Sequence, residues 1–415
     1  MPELDKTPSG ERLHITIFGR RNSGKSSLIN ALTNQQVAIV SDVAGTTTDP
    51  VSKAMEILPI GPVIVTDTAG IDDVAGGLGE LRVKATMRVL EKTDLALLVV
   101  DAEQGTDRWE DDIVRLAGER GIPLIAVVNK TDLQRDVSDA RAWAEERKLP
   151  FVGVSATERA GIEDLKRKMM EAAPATFAEP TIIGDLISSG DIVVLVVPID
   201  KAAPKGRLIL PQVMTLRDVI DHDAYGVVVK ERELADCLRN LAKKPKIVVT
   251  DSQAFLKVDA DTPKGVWMTS FSILMARYKG DLSESVAGAA AIGNLKPGDK
   301  VLIAEGCTHH RQADDIGSVQ IPRWLRQSVG GGLEFGYSSG REFPPDLATY
   351  KLVVHCGGCM LNRREMLYRQ QVAREAGVPM TNYGVLLASV HGILDRALEP
   401  FPLARMVWEE RGPLP

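Results

Sequence analysis

Two sets of residues in this 415-residue chain have types and spacings suited to chemistry. The first reads Gly19-Arg20-Arg21-Asn22-Ser23-Gly24-Lys25-Ser26-Ser27, a glycine-containing turn whose backbone N–H groups can point at phosphate oxygens. The second comprises three thiols and two imidazoles, Cys307-Thr308-His309 and His355-Cys356-Gly357-Gly358-Cys359. Thiolate and imidazole are ligands of zinc and of iron–sulfur centres. One set implies nucleotide hydrolysis and the other a metal centre.

Within the first set, Gly19, Asn22, Ser23, Gly24, Lys25, Ser26 and Ser27 are expected to hold the nucleotide phosphates. Lys25 neutralises the β- and γ-oxygens and Ser26 ligates Mg²⁺. Asp67-Thr68-Ala69-Gly70 follows, where the Asp67 carboxylate can hold Mg²⁺ through water and the Gly70 N–H can sense the γ-phosphate. Asn129-Lys130-Thr131-Asp132 supplies a carboxylate at Asp132 that only accepts hydrogen bonds, the complement of guanine N1–H and its exocyclic amine. Ser155-Ala156 suits a backbone donor to guanine O6. The nucleotide expected is therefore GTP. Gly45-Thr46-Thr47-Thr48-Asp49 reads as a switch segment, with Thr46 and Thr47 at the nucleotide and Thr47 completing the Mg²⁺ shell. This set resembles the translation-factor-related GTPases that modify tRNA and assemble ribosomes. The resemblance implies K⁺ stimulation through Asn22. Ile71 stands where Ras-like enzymes carry a water-orienting Gln, so slow intrinsic turnover is expected. Lys25, Ser26, Thr47, Asp67 and Gly70 form the expected catalytic group.

In the second set, Cys307, Cys356 and Cys359 provide three soft ligands, with His309 and His355 as candidates for a fourth. The gap of about 45 residues between the two clusters is too long for a simple zinc-finger loop. Three cysteines suit a [4Fe-4S] cluster with one iron open or held by a replaceable group. On ligand types alone, a structural zinc or an inert set of buried thiols stays open.

The elements that must position these groups are legible as alternating patterns. From Leu13 to about Ala173, short apolar runs (LHITIF, VIVTD, DLALLVVD, PLIAVVNK, FVGVSA) alternate with amphipathic stretches, which predicts an α/β domain with a mainly parallel sheet covered by helices on both faces. A Pro-marked stretch at 173–180 reads as a linker. A smaller α/β module then spans 181–261, and 262–415 form a third α/β region, so three domains are expected: 1–174, 181–261 and 262–415. Each cysteine cluster begins where an apolar strand, KVLIAEG or YKLVVHCGG, ends. If those strands are parallel neighbours, Cys307 and Cys356 meet at one sheet edge.

Composition is that of a soluble globular chain, 44% hydrophobic and 26% charged, with a formal net charge of −6. Residues 262–415 carry 17 Lys or Arg against 15 Asp or Glu, so neither the whole nor the cysteine-bearing part projects a basic field toward nucleic acid. No apolar leader or membrane-length apolar run occurs, and a cytoplasmic location with neither a membrane nor a nucleic-acid partner is expected. In that reducing compartment clustered cysteines read as ligands rather than disulfides.

Taken over its whole length, with an N-terminal GTPase followed by Cys-x-His and His-Cys-x-x-Cys, the chain resembles the [FeFe]-hydrogenase maturation GTPases. The resemblance implies a dimerisation role for 181–261, a homodimer or a tetramer built from it, and a [4Fe-4S] cluster on Cys307, Cys356 and Cys359 in 262–415. It further implies a scaffold and carrier that takes a di-iron subcluster precursor as cargo, made with the radical-SAM maturases HydE and HydG, and delivers it to apo-[FeFe]-hydrogenase. The competing class is an RNA or ribosome-assembly GTPase with a structural zinc module.

Overall fold

The computed structural model describes residues 9–33, 51–58, 60–68, 86–134, 136–173, 181–198, 208–306, 315–340, 343–344 and 346–411. The chain divides into two compact units, Met1–Glu179 and Pro180–Pro415. Among the described residues no helix is long and apolar enough to cross a membrane.

In the first unit six strands, β1 (Leu13–Gly19), β2 (Val51–Ile57), β3 (Gly61–Asp67), β4 (Leu95–Asp101), β5 (Leu124–Asn129) and β6 (Phe151–Gly153), form one sheet in the order β2-β3-β1-β4-β5-β6. All neighbours are parallel except β2 and β3. Among the described helices are α1 (Lys25–Thr33), α2 (Arg108–Glu119), α3 (Ser138–Glu146) and α4 (Ile162–Ala172). The two-residue period of a strand explains the layering. Leu95, Leu97 and Val99 enter one core with Ile15 and Ile17, while Ala96, Leu98 and Val100 enter another with Phe18 and Ile113. A sheet apolar on both faces needs helices on both, as the alternating pattern predicted. β2 was not expected: its sequence, VSKAMEI, mixes in polar residues, because an antiparallel edge strand needs to bury only part of its surface.

The second unit holds two four-stranded parallel sheets. The first comprises β7 (Ile192–Val196), β8 (Tyr225–Val229), β9 (Ile247–Thr250) and β10 (Trp267–Ser270), ordered β10-β9-β7-β8. The second comprises β11 (Lys300–Glu305), β12 (Glu334–Ser339), β13 (Leu352–His355) and β14 (Met380–Asn382), ordered β12-β11-β13-β14. Among its helices are α5 (Leu210–Asp221), α6 (Leu234–Asn240), α7 (Phe255–Asp261), α8 (Phe271–Lys279), α9 (Leu282–Ala290), α10 (Ile321–Val329), α11 (Arg363–Glu375) and α12 (Tyr383–Val390). One hydrophobic core takes Val193 and Val248 from the first sheet, Val301 and Val354 from the second, and Phe271 and Leu274 from α8 between them. The boundary drawn at 261 thus cuts through a sheet, because β10 extends it to Ser270. Its four residues, Trp267-Met-Thr-Ser270, are too short to announce a strand by pattern.

Candidate functional site

The phosphate loop runs from the end of β1 into α1. Asn22 and Gly24 both take positive φ, 64° and 88°. Asparagine tolerates that region and glycine adopts it freely, so the turn is built from residues that suit it. Gly24 is doubly constrained, since a Cβ there would overlap Asn129 Nδ2. Gly19 is confined by Ser23 Oγ and the Val99 carbonyl, each 2.7 Å from the position of an added Cβ. Lys25 is buried, and its ammonium donates to the carbonyls of Gly19 and, at 3.1 Å, Arg20. Ser26 and Ser27 follow in the first turn of α1.

The other motifs stand around this loop. Asp67 ends β3 in register with Ile17 of the adjacent β1, which carries its buried carboxylate to the loop side of the sheet. Thr68 donates its hydroxyl to the Ile17 carbonyl at 2.9 Å and so locks the two strand ends. Asn129, at the end of β5, is a link rather than a surface group. Its Nδ2 donates to the Ser23 carbonyl at 2.9 Å, and its Oδ1 accepts the Ala156 N–H at 3.1 Å. Three sequence motifs are thereby joined through one amide. Lys130 donates to Asp101 Oδ2 at 2.7 Å, which steadies the segment leading to Asp132. Asp132 Oδ1 is buried and accepts no hydrogen bond from the described protein residues. A buried acceptor of that kind fits a base presenting two adjacent donors, as guanine does. Ser155 is buried, and its hydroxyl oxygen accepts the Glu158 N–H at 3.1 Å. Thr46, Thr47 and Gly70 lie outside the described residues.

Sequence reasoning missed one contact of the loop. Arg20 donates to Glu110 Oε2 at 2.5 Å and pairs with Asp107, tying the phosphate loop to the start of α2. Burial pushes the Glu110 carboxyl up, against the pull of Arg20. Asp107 caps α2, accepting the Trp109 N–H at 2.8 Å, and Glu110 returns the bond by accepting the Asp107 N–H at 2.9 Å. The Asp-x-x-Glu spacing is a signature of such a capping box, but nothing local names Arg20 as its partner.

The cysteine-bearing strands are parallel neighbours. β11 pairs β13 with Ala304 opposite His355. The Cys356 N–H donates to the Ala304 carbonyl at 2.9 Å, and the Gly306 N–H donates to Cys356 Sγ at 3.1 Å. A second donor, the Gly358 N–H, lies 3.4 Å from the same sulfur. Gly358 has φ 62°, which turns the chain back toward Cys359. Asn362 then caps α11 by accepting the Glu365 N–H at 2.9 Å. Cys307 and His309 lie outside the described residues, though Gly306, the residue before Cys307, is in place against Cys356. Burial pushes the Cys359 thiol up, opposed by the positive charge of Lys279. Backbone N–H donors on a sulfur at a sheet's carboxyl edge suit a thiolate ligand of an iron–sulfur centre. Among the described residues no three His, Cys, Asp or Glu side chains converge on one metal position.

His355 is placed differently from the ligand role considered for it. The ring is 1% exposed, and both nitrogens are engaged. Arg369 Nη1 donates to Nε2 at 2.9 Å, which leaves the proton on Nδ1 to donate to the Cys356 carbonyl at 2.8 Å. Burial first, and then the Arg369 charge, lower its pKa to about 3. Both ring nitrogens thus have protein partners. His355 instead couples α11 to the backbone of Cys356.

A mainly parallel sheet whose carboxyl edge gathers a phosphate loop, a carboxylate at Asp67 and the Asn129-Lys130-Thr131-Asp132 segment defines the first unit as a P-loop GTPase domain. Residues 14–130 match the family model described as 50S ribosome-binding GTPase. Residues 182–280 match the Hydrogen maturase F dimerization domain, and 283–400 match the Hydrogen maturase F tetramerization domain. The chain belongs to the hydrogen maturase F family. Similarity to other curated proteins falls on the GTPase part. The chain is 38% identical over 162 residues to the tRNA modification GTPase MnmE of Chromobacterium violaceum, covering 39% of this chain and 35% of that protein. It is 36% identical over 164 residues to GTPase Der of Leptospira borgpetersenii, covering 36% and 34%. The chain thus spans about a third of the length of those relatives. A crystal structure of an Aquifex aeolicus Era variant bound to GDP.AlF4- superposes with a TM-score of 0.33 at 19% identity, covering 60% of this chain and 99% of that one.

Proposed function

We propose that this chain is a GTP-hydrolysing scaffold that holds a [4Fe-4S] cluster on Cys307, Cys356 and Cys359. It receives a di-iron precursor made with HydE and HydG and passes it to apo-[FeFe]-hydrogenase. The observation that carries the reading is the Gly306 N–H on Cys356 Sγ at 3.1 Å, which sets the chain immediately before Cys307 against a second cysteine at one sheet edge. The same chain carries a complete GTP-binding set, and few functions need both.

In the nucleotide site, Asp132 accepts from guanine, the Ala156 N–H donates to it, and Lys25 meets the β- and γ-phosphates in place of the loop carbonyls it now bonds. Ser26, Thr47 and Asp67 would hold Mg²⁺, which supplies charge neutralisation on the phosphates. Asn22 would hold an activating K⁺. Without a Gln after Gly70, intrinsic turnover is slow, and the cycle serves as a switch whose coupling equals the difference in partner affinity between nucleotide states. The cluster supplies an attachment point for the precursor, with the fourth iron position closed by His309 or by a replaceable group.

The family match supports a homodimer, or a tetramer built from it, and a cytoplasmic setting is part of the same proposal. β8 supports the same reading, because it is the edge of its sheet and exposes Tyr225 (64%) and Val228 (42%).

The test is anaerobic purification with iron analysis and EPR of the reduced protein, comparing the wild type with Cys356→Ser, followed by activation of apo-hydrogenase. About four irons per chain and a signal lost in the variant support the proposal. Stoichiometric zinc with no signal sinks it.

A further inference from the structure

Glutamate is almost never fully buried unless it is paired, and the Glu110 side chain, in the first turn of α2, is only 2% exposed. Capping α2 does not by itself require that burial, because a helix start at the surface takes the same bonds. The partner is Arg20, the second residue of the phosphate loop. One nitrogen, Nη2, donates to Glu110 Oε2 at 2.5 Å and also pairs with Asp107. The main chain of Arg20 is bound into the loop itself. Its carbonyl accepts the Ser23 N–H at 3.2 Å, closing the turn in which Asn22 takes its positive φ, and accepts the Lys25 ammonium at 3.1 Å. The stretch leading into α2 is fastened to the base side as well. The Ala102 N–H donates to the Asn129 carbonyl at 3.0 Å, and Asp101 accepts from Lys130 at 2.7 Å.

We propose that Arg20 is a positioning residue for the nucleotide: latched to Glu110 and Asp107, it holds the phosphate loop in the shape whose N–H groups meet the phosphates, and so slows nucleotide release. The inference rests on the GTP-binding reading above and adds to that site a side chain its motif leaves unassigned. A loop already ordered loses less conformational freedom when the nucleotide arrives, which strengthens binding. The latch gives that order a firm base, since α2 is seated in the core through Trp109 and Ile113. Losing the latch weakens ground-state and transition-state binding alike, which raises KM and leaves kcat in place. Because a single guanidinium nitrogen makes both contacts, a lysine ammonium can stand in for it.

The test uses the full-length chain and compares the wild type with Arg20→Met, Arg20→Lys and the double variant Arg20→Met/Glu110→Gln, which leaves no buried charge without a partner. Glutamine keeps an oxygen for the Asp107 N–H, so the α2 cap survives in the double variant. Readouts are the release rate of a fluorescent GDP analogue, KM and kcat for GTP hydrolysis, and the thermal midpoint of the nucleotide-free chain. The expected result is release and KM each raised about tenfold in the two Met variants, kcat within about twofold of wild type, and the Lys variant near wild type. A lower midpoint with release and KM unchanged overturns the inference and makes the pair purely structural. A fall in kcat at unchanged KM overturns it by moving Arg20 into the chemical step. Failure of both Met variants to fold overturns it as well. A wild-type chain that binds no guanine nucleotide overturns both this inference and the GTP-binding reading.

Discussion

Arg369 and His355, fourteen residues apart in sequence, meet in the protein interior with Nη1 2.9 Å from Nε2. Arg369 also donates Nη2 to the Gly340 carbonyl at 2.7 Å and to Glu365 Oε1 at 3.2 Å. Removing it strands buried acceptors, so Arg369→Met should cost about 2–4 kcal/mol, read as a lower urea midpoint. His355→Gln should also destabilise the fold yet leave iron per chain unchanged. A drop in iron without a drop in stability would restore His355 as a ligand.

Gly24→Ala should abolish tight nucleotide binding. The left-handed backbone alone costs a side chain about 1–3 kcal/mol, and the new methyl collides with the Asn129 amide that braces the loop. Titration with a fluorescent GTP analogue should show affinity at least about a hundredfold weaker, about 2.7 kcal/mol. Near-wild-type affinity would mean that the loop relaxes freely.

Asp132→Asn should exchange base preference. The amide offers a donor where the carboxylate offered an acceptor, which suits the 2-oxo group of xanthine instead of the guanine amine. GTP hydrolysis should fall by about 10³-fold or more, and xanthosine triphosphate should become a substrate. Unaltered preference would remove Asp132 from the base site.

The pair Arg277–Asp185 predicts a pH window for stability. Burial pushes the Asp185 carboxyl up, but bonds from Arg277 and Thr181 together outweigh it, and the net shift is downward. A folded-state pKa below the unfolded value gives stability that is present above the unfolded pKa, about 3.9 for Asp. It is lost as pH falls through the folded value. Both groups are partly exposed, so the contribution should be below about 1 kcal/mol. The urea-midpoint difference between wild type and Asp185→Asn should hold from pH 7 to about pH 5 and close only in acid. A difference that instead grew below pH 4 would contradict the pairing.

Much of the site was readable because its logic is local or topological. Lys25 and Asp132 sit in motifs whose spacing is set by phosphate and base, and the meeting of the cysteine strands followed from their both ending an apolar run. His355, beside Cys356, suggested a ligand; in the fold its Nε2 bonds Arg369, fourteen residues on in α11, a partner that the local sequence does not announce. Glu110 reached Arg20 across 90 residues, a distance no periodicity bridges. β12, EFGYSS, failed to register as a strand because its exposed edge position asks for little apolar content.

Asn129 binds the loop around Ser23 with one end of its amide and the loop at Ala156 with the other. The grip on the phosphates and the grip on the base therefore cannot slacken separately. A strain that pulls one loop away from Asn129 should loosen the other, so the phosphate side and the base side of the site are expected to open together.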